Sequence, residues 1–132
     1  MIVLDASVAV EILLGSGAGR AALDHVGREA EVHVPEHFHV EVLSVLRRYS
    51  LAGELREPRS GRVLGLLADL RAIRYPNLVL AAEIWELRTS LTAYDAAYLA
   101  LARRLGASLV TLDRALAAAS RADGLLIDIE ST

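Results

Sequence analysis

The chain has no cysteine and no lysine among its 132 residues. Without cysteine there is no disulfide framework, no thiolate zinc site and no thiol nucleophile, a pattern that agrees with a reducing compartment. Without lysine there is no Schiff-base amine, no Gly-Lys-Ser/Thr phosphate loop, and none of the lysine chemistry that a receiver domain places beside its acids. All 14 basic residues are therefore arginine. Arginine grips phosphate bidentately, but a GC-rich genome would favour it equally.

Long apolar runs are also missing. No stretch approaches the roughly 18 residues needed to cross a bilayer, and the N-terminus lacks the basic segment of a signal peptide. A cytosolic protein without membrane association is expected. There is no linker, repeat or low-complexity segment, so residues 1–132 are expected to form one domain, long enough to bury a core without staples. Hydrophobic residues make up 54% of the chain, a rich share that leaves apolar surface for a partner. The formal charge of −3 does not advertise nucleic-acid binding. Bound metal would change that balance, so the charge does not exclude a polyanionic substrate either.

What is present has the rhythm of βα units. Ile2 to Leu4 is a short continuous apolar run, as in a strand buried on both faces, and Ser7 to Leu14 has helical character. Similar runs recur at Glu31-Val-His-Val-Pro35, Ser108-Leu-Val-Thr-Leu112 and Leu125-Leu-Ile-Asp-Ile129. Helices are predicted near residues 18–28, 36–52, 57–72, 78–90, 92–105 and 113–121, with breaks at Gly53, Pro58, Tyr75-Pro76 and Gly106. The predicted fold is a three-layer α/β/α sandwich on a short, mainly parallel sheet of four or five strands, with a helical pair over roughly residues 36–72.

Four acids stand where a carboxylate is locally out of place. Asp5 ends the first apolar run and Asp113 follows the Leu109-Val-Thr-Leu run, so both should stand at one rim of a parallel sheet, where ligands bind. At 100° per residue, Glu41 projects about 60° from Phe38 and about 40° from Val45, flanking an apolar helix face. Asp95 lies about 60° from Tyr98 and about 20° from Ala102, bordering the face of Tyr94, Tyr98, Leu101 and Leu105. Carboxylates gathered in one place repel one another, so they either take up protons or hold a cation between them.

Each acid also has a plain structural explanation. Asp5 and Asp113 are placed as helix N-caps, and Thr92-Ala-Tyr-Asp95 fits a capping box. Glu41 could pair with His37 or Arg48. The functional case rests on all four agreeing with one site. A competing zinc site from His33, His37 and His39 is weakened because His39 points about 160° from Glu41. Tyr94 and Tyr98 are assigned to the core in preference to base stacking, and Trp85 and Phe38 likewise to packing. Arg47-Arg48 and Arg103-Arg104 are read as solvated helix faces, with Arg48, Arg88 and Arg103 as candidates for phosphate contact.

The opening Met1-Ile-Val-Leu-Asp5-Ala-Ser, the segment from Val34 through Glu41 to Arg48, the block Thr92-Ala-Tyr-Asp95-Ala-Ala-Tyr98 and Leu109-Val-Thr-Leu-Asp113 together resemble a PIN-domain toxin, the VapC-like component of a bacterial toxin–antitoxin pair. The resemblance spans nearly the whole chain and shows no departure at the four acids. It implies a Mg²⁺- or Mn²⁺-dependent endoribonuclease, commonly dimeric, held inactive by a cognate antitoxin in a hetero-oligomer. Asp5 and Asp95 would then be direct metal ligands, and Asp113 a ligand of the same or a second ion. Glu41 would be a ligand or a water-orienting group, with Ser7 and Thr111 as polar supports. An antitoxin helix would occupy an apolar groove between the helices at residues 7–28 and 36–52. The alternatives are a PIN-like nuclease acting on DNA, which a compact chain without a threading insertion disfavours, and a non-catalytic interaction module.

Overall fold

A computed structural model describes residues 1–27 and 30–127. In chain order it contains β1 (Ile2–Leu4), α1 (Ala6–Leu14), α2 (Gly17–Val26), β2 (Val32–Pro35), α3 (Phe38–Leu51) and α4 (Arg59–Asp69). There follow β3 (Ala72–Tyr75), a 3-10 helix (Asn77–Leu80), α5 (Ala81–Glu86), α6 (Ala93–Leu105), β4 (Ser108–Val110) and α7 (Arg114–Ala122). All strand pairs are parallel, in the order β3-β2-β1-β4. Val3 is in register with His33 on one side and Leu109 on the other. The sandwich expected from the sequence is present, with a four-stranded sheet among the described residues.

Chain connectivity locates the site before any side chain is considered. The chain builds β1, β2 and β3 outward in one direction, then returns to lay β4 on the opposite side of β1. The switch point therefore lies between the carboxyl ends of β1 and β4, where open α/β sheets form their ligand crevice. Asp5 follows one of these strands, and Thr111, Leu112 and Asp113 follow the other.

β1 is central and wholly buried, which is why it reads as an unbroken apolar run. α6 is buried from Ala96 through Leu101 to Ala102. Its alanines let it lie close against β1, β2 and β4, while α5, α7 and the 3-10 helix cover its other sides. α1 and α2 meet at 112°, turning at Gly15 with φ of 69°. No single described helix is long and apolar enough to cross a membrane.

Three expectations need correction. Ala72–Tyr75 forms a strand, where the sequence pattern predicts a helix to residue 72. As an edge strand with Ile73 and Arg74 exposed, it shows neither the continuous apolar run of a central strand nor clean alternation. Residues 78–90 are not one helix: the 3-10 helix precedes α5, and after Glu86 the chain tightens into i→i+3 bonds such as Arg88 N–H to Trp85 C=O. Of the predicted strand 125–129, the described residues 125–127 form a parallel bridge between Leu126 and Leu109. Its Asp128 and Ile129 lie outside the described residues, as does Arg28 at the end of the predicted 18–28 helix.

Candidate metal centre and active site

Asp5 is 4% exposed and occupies the N-cap position of α1, yet its side chain makes no cap hydrogen bond. Instead Oδ2 accepts from Ser7 Oγ at 2.6 Å and from Thr111 Oγ1 at 2.7 Å. Those hydroxyls in turn accept backbone N–H groups, Ser7 from Leu112 at 3.1 Å and Thr111 from Asp113 at 3.0 Å. The loop that carries Asp113 is thereby tied to Asp5 through two hydroxyls that both meet one carboxylate oxygen. Burial raises the Asp5 pKa, the Ser7 and Thr111 bonds oppose that rise, and the charge of Glu41 adds to it.

Asp113 does cap its helix: Oδ1 accepts from the Leu116 N–H at 2.8 Å. A single-oxygen cap still leaves Oδ2, so capping and site membership are compatible here. Asp95 is the third residue of α6, where the Thr92 hydroxyl caps by accepting the Asp95 N–H at 3.2 Å. Its pKa is raised from 3.8 to about 6, by burial first and then by the charges of Asp113, Asp5 and Glu41. The three other acids thus all act on Asp95, as expected only if the four converge.

Glu41 extends from α3 toward α6. Its Oε1 accepts from the Tyr98 hydroxyl at 2.6 Å and lies 3.2 Å from His37 Nε2. His37 also faces Tyr94 C=O through Nε2 at 3.2 Å and Asn77 Oδ1 through Nδ1 at 3.1 Å. Burial would lower the His37 pKa, but hydrogen bonds to Glu41 and Asn77 and the Glu41 charge outweigh it, so the net shift is upward.

Asp5, Glu41, Asp95, Asp113 and Ser7 line one cavity of about 530 Å³, together with His37, Ser44, Arg48 and Tyr94. Thr111 sits buried behind it. A larger concavity of about 890 Å³ lies across α3, walled by Leu43, Leu64 and Ile73, and contains none of the four acids. Among the described residues no three Asp, Glu or His side chains, as placed, come together closely enough to hold a metal ion. The donor set is nevertheless hard oxygen throughout, with at least one carboxylate oxygen left over on Asp5, Glu41 and Asp113. Mg²⁺ takes a few carboxylates of this kind and completes its shell with water and substrate phosphate. The mutual repulsion felt by Asp95 is what a cation would relieve, so the residues fit such an ion.

The histidines do not compete. His33 is buried between Tyr75 and Glu31, and His39 packs against Phe38. Tyr98 and Phe38 are core, as expected. Tyr94 and Trp85 are not: they are 63% and 67% exposed, because their helix faces turn outward from the sheet. Of the arginines proposed for phosphate, Arg103 pairs with Asp123 and Arg88 lies over the Trp85 ring at 4.6 Å. Arg104, read as solvated, pairs with Glu83. Arg48 lines the acid cavity and does not pair with Glu41. Sequence reasoning missed the polar role of Tyr98, and its signal was the spacing: one helical turn beyond Asp95, on the face Glu41 meets.

The family described as PIN domain matches residues 2–122. Over 113 residues the chain is 40% identical to ribonuclease VapC9 of Mycobacterium tuberculosis, covering 86% of each chain. It is 39% identical over 118 residues to ribonuclease VapC12 of the same species, covering 89% of this chain and 90% of that one. Among solved structures, PAE2754 from Pyrobaculum aerophilum superposes with a TM-score of 0.68 at 23% identity, covering 98% of this chain and 90% of that chain.

Proposed function

The chain belongs to the PIN-domain family, as a VapC-like ribonuclease toxin, and from that premise we propose that it cuts cellular RNA endonucleolytically with a divalent metal ion and is neutralised by a cognate antitoxin. The ion is Mg²⁺, with Mn²⁺ able to replace it, since both accept hard oxygen donors. Asp5, Asp95 and Asp113 hold it, and Glu41 either joins them or orients water. When bound, such an ion polarises the scissile phosphate and lowers the pKa of a coordinated water.

The protein's own part is to present oxygens in fixed positions. Ser7 and Thr111 hold Asp5 by Oδ2 at the edge of the cavity that Asp5 lines. Tyr98 and His37 hold Glu41 by Oε1 and leave Oε2. Asp95, at about 6, is ionised at neutral pH and available as a ligand. The observation that carries the reading is that Asp5, Glu41, Asp95 and Asp113, from four separate parts of the chain, line one cavity.

The antitoxin site is proposed between α1 and α3. There a second, smaller concavity, lined by Tyr49 and Glu54, shares Val45 and Arg48 with the acid cavity. Exposed Leu78, Val79 and Trp85 suit a homodimer contact or a toxin–antitoxin hetero-oligomer in the cytosol. Expression should arrest growth, and Asp5→Asn or Asp95→Asn should abolish both arrest and RNA cleavage in protein that remains folded. Unchanged cleavage by either variant would remove the site assignment. Parallel digestion of labelled RNA and DNA decides the substrate class, and preferential DNA cleavage would overturn the ribonuclease reading.

A further inference from the structure

We propose that the exposed ring of Tyr94 is a stacking platform for an unpaired RNA base beside the scissile phosphate, with Arg48 taking a neighbouring phosphate. The inference rests on the ribonuclease reading and adds a base-binding subsite to it. Tyr94 and Asp95 are consecutive residues near the start of α6, and both line the acid cavity. A nucleotide adjoining a phosphate held by the acids would thus enter a cavity that Tyr94 also lines.

The ring is both open and held. It is 63% exposed, and its contact with His37 is perpendicular, with centroids 5.6 Å apart and planes at 80°. A perpendicular contact steadies a ring without stacking on it, leaving a flat face for another π system. His37 also fixes the Tyr94 backbone through its C=O and is itself tied to Asn77 and Glu41. The platform is therefore preorganised, which lowers the entropy lost on binding. Trp85, the other strongly exposed aromatic, already has Arg88 over its ring and does not line the cavity.

A cavity with four acids needs a cation to tolerate an incoming phosphate backbone. Arg48 lines the same cavity from α3, is exposed, and makes no ion pair among the described residues. An aromatic platform beside an arginine is the combination that binds single strands, whereas a paired base in an A-form duplex cannot offer its face to a ring. The subsite therefore takes a base whose face is free, flanked by a phosphate within reach of Arg48.

The test uses the full chain and a single-stranded RNA drawn from a random-sequence pool that the wild type cleaves, with a fluorescent purine placed next to the cut. Tyr94→Ala should raise KM by about tenfold or more, leave kcat within a few-fold, and abolish quenching of the purine. Tyr94→Phe, which keeps the ring, should restore both KM and quenching. Arg48→Gln should reduce the slope of log affinity against log salt by about 0.7, the loss of one phosphate contact on a single strand. Unchanged KM and quenching in Tyr94→Ala, with the wild type active, would overturn the subsite and leave the ribonuclease reading intact. A fall in affinity that tracks dissociation of a dimer in sedimentation would also overturn it, assigning Tyr94 to a contact between copies. An unchanged salt slope in Arg48→Gln would remove the phosphate contact. A wild type that cleaves nothing in the pool would overturn the ribonuclease reading, and the subsite with it.

Discussion

The phenol of Tyr98 donates a 2.6 Å hydrogen bond to Oε1 of Glu41, joining α6 to α3 across 57 residues of sequence. His37 Nε2 faces the same oxygen, so Glu41 is held from one side and its second oxygen is left to the cavity. Burial, then the Glu41 bond and charge, push the Tyr98 pKa far upward, which keeps the phenol a donor at every working pH. Tyr98→Phe keeps the ring in the core and removes the hydroxyl, and with it the donor to Glu41 and the contact with the Ala6 backbone. It should cost about 1–2 kcal/mol, since Glu41 is partly hydrated and water replaces some of the bond. Urea denaturation measures the loss, and the cleavage rate should fall with it as Glu41 gains freedom. Wild-type stability and wild-type rate together would dismiss the clamp.

Thr111 connects the two strand-end acids, Asp5 and Asp113. Its hydroxyl donates to Asp5 and accepts the Asp113 N–H, and it is 5% exposed. Thr111→Val has nearly the same shape but can do neither. The loss should be about 2–4 kcal/mol, for two hydrogen bonds and a backbone N–H left without its acceptor. The Thr111 bond also opposes the burial-driven rise of the Asp5 pKa, so the variant should carry that pKa higher. The acidic limb of the pH–rate profile should move to higher pH, and a profile superimposable on wild type would count against the relay.

The parts of the fold that the sequence declares are those whose burial is simple. β1 and β4 are covered on both faces and show it as apolar runs, and the rule that ligands gather at strand carboxyl ends then puts Asp5 and Asp113 together. β3 was illegible because an edge strand with two exposed residues carries no such pattern. Helix periodicity located Glu41 and Asp95 on their faces but could not say what each face meets. His37 was a correct partner for Glu41, while Arg48 was not and Tyr98 was overlooked. The sequence favours packing for the aromatic residues, and only tertiary placement separates buried Tyr98 from exposed Tyr94.

Gly19 shows why α1 stays in place. A glycine inside a helix ordinarily gains about 0.5–1 kcal/mol on replacement by alanine. Here a Cβ would lie 2.0 Å from the Glu11 carbonyl oxygen, which is backbone and cannot rotate away. Gly19→Ala should therefore destabilise by about 3 kcal/mol through forced separation of α1 and α2. Because α1 carries Ser7, cleavage should weaken as well. Gly17→Ala, with nothing within 4 Å of its Cβ, is the control and should be neutral or slightly stabilising. Thermal melts of the two variants should move in different directions, and equal shifts would refute the close helix contact.

The acid cluster sets how stability responds to pH and metal. With a folded pKa of about 6 against an ordinary 3.8, Asp95 binds its proton more tightly when folded than when unfolded. Its contribution is complete below about pH 3.8, declines as pH rises, and has become a penalty above about pH 6. Asp5 and His37 are shifted upward too and act in the same direction. The metal-free protein should thus melt higher at about pH 5 than at about pH 7.5. Divalent metal binds the ionised carboxylates, so Mg²⁺ should raise the melting temperature at the higher pH and do little at the lower; about 100 times the dissociation constant gives roughly 2.7 kcal/mol. Asp95→Asn removes one repelling charge and one ligand at once. It should melt above the wild type at about pH 7.5 without metal, show a flatter pH dependence, and gain less from Mg²⁺. Melting temperatures that are equal at both pH values and indifferent to Mg²⁺ would show that the four carboxylates do not share a field.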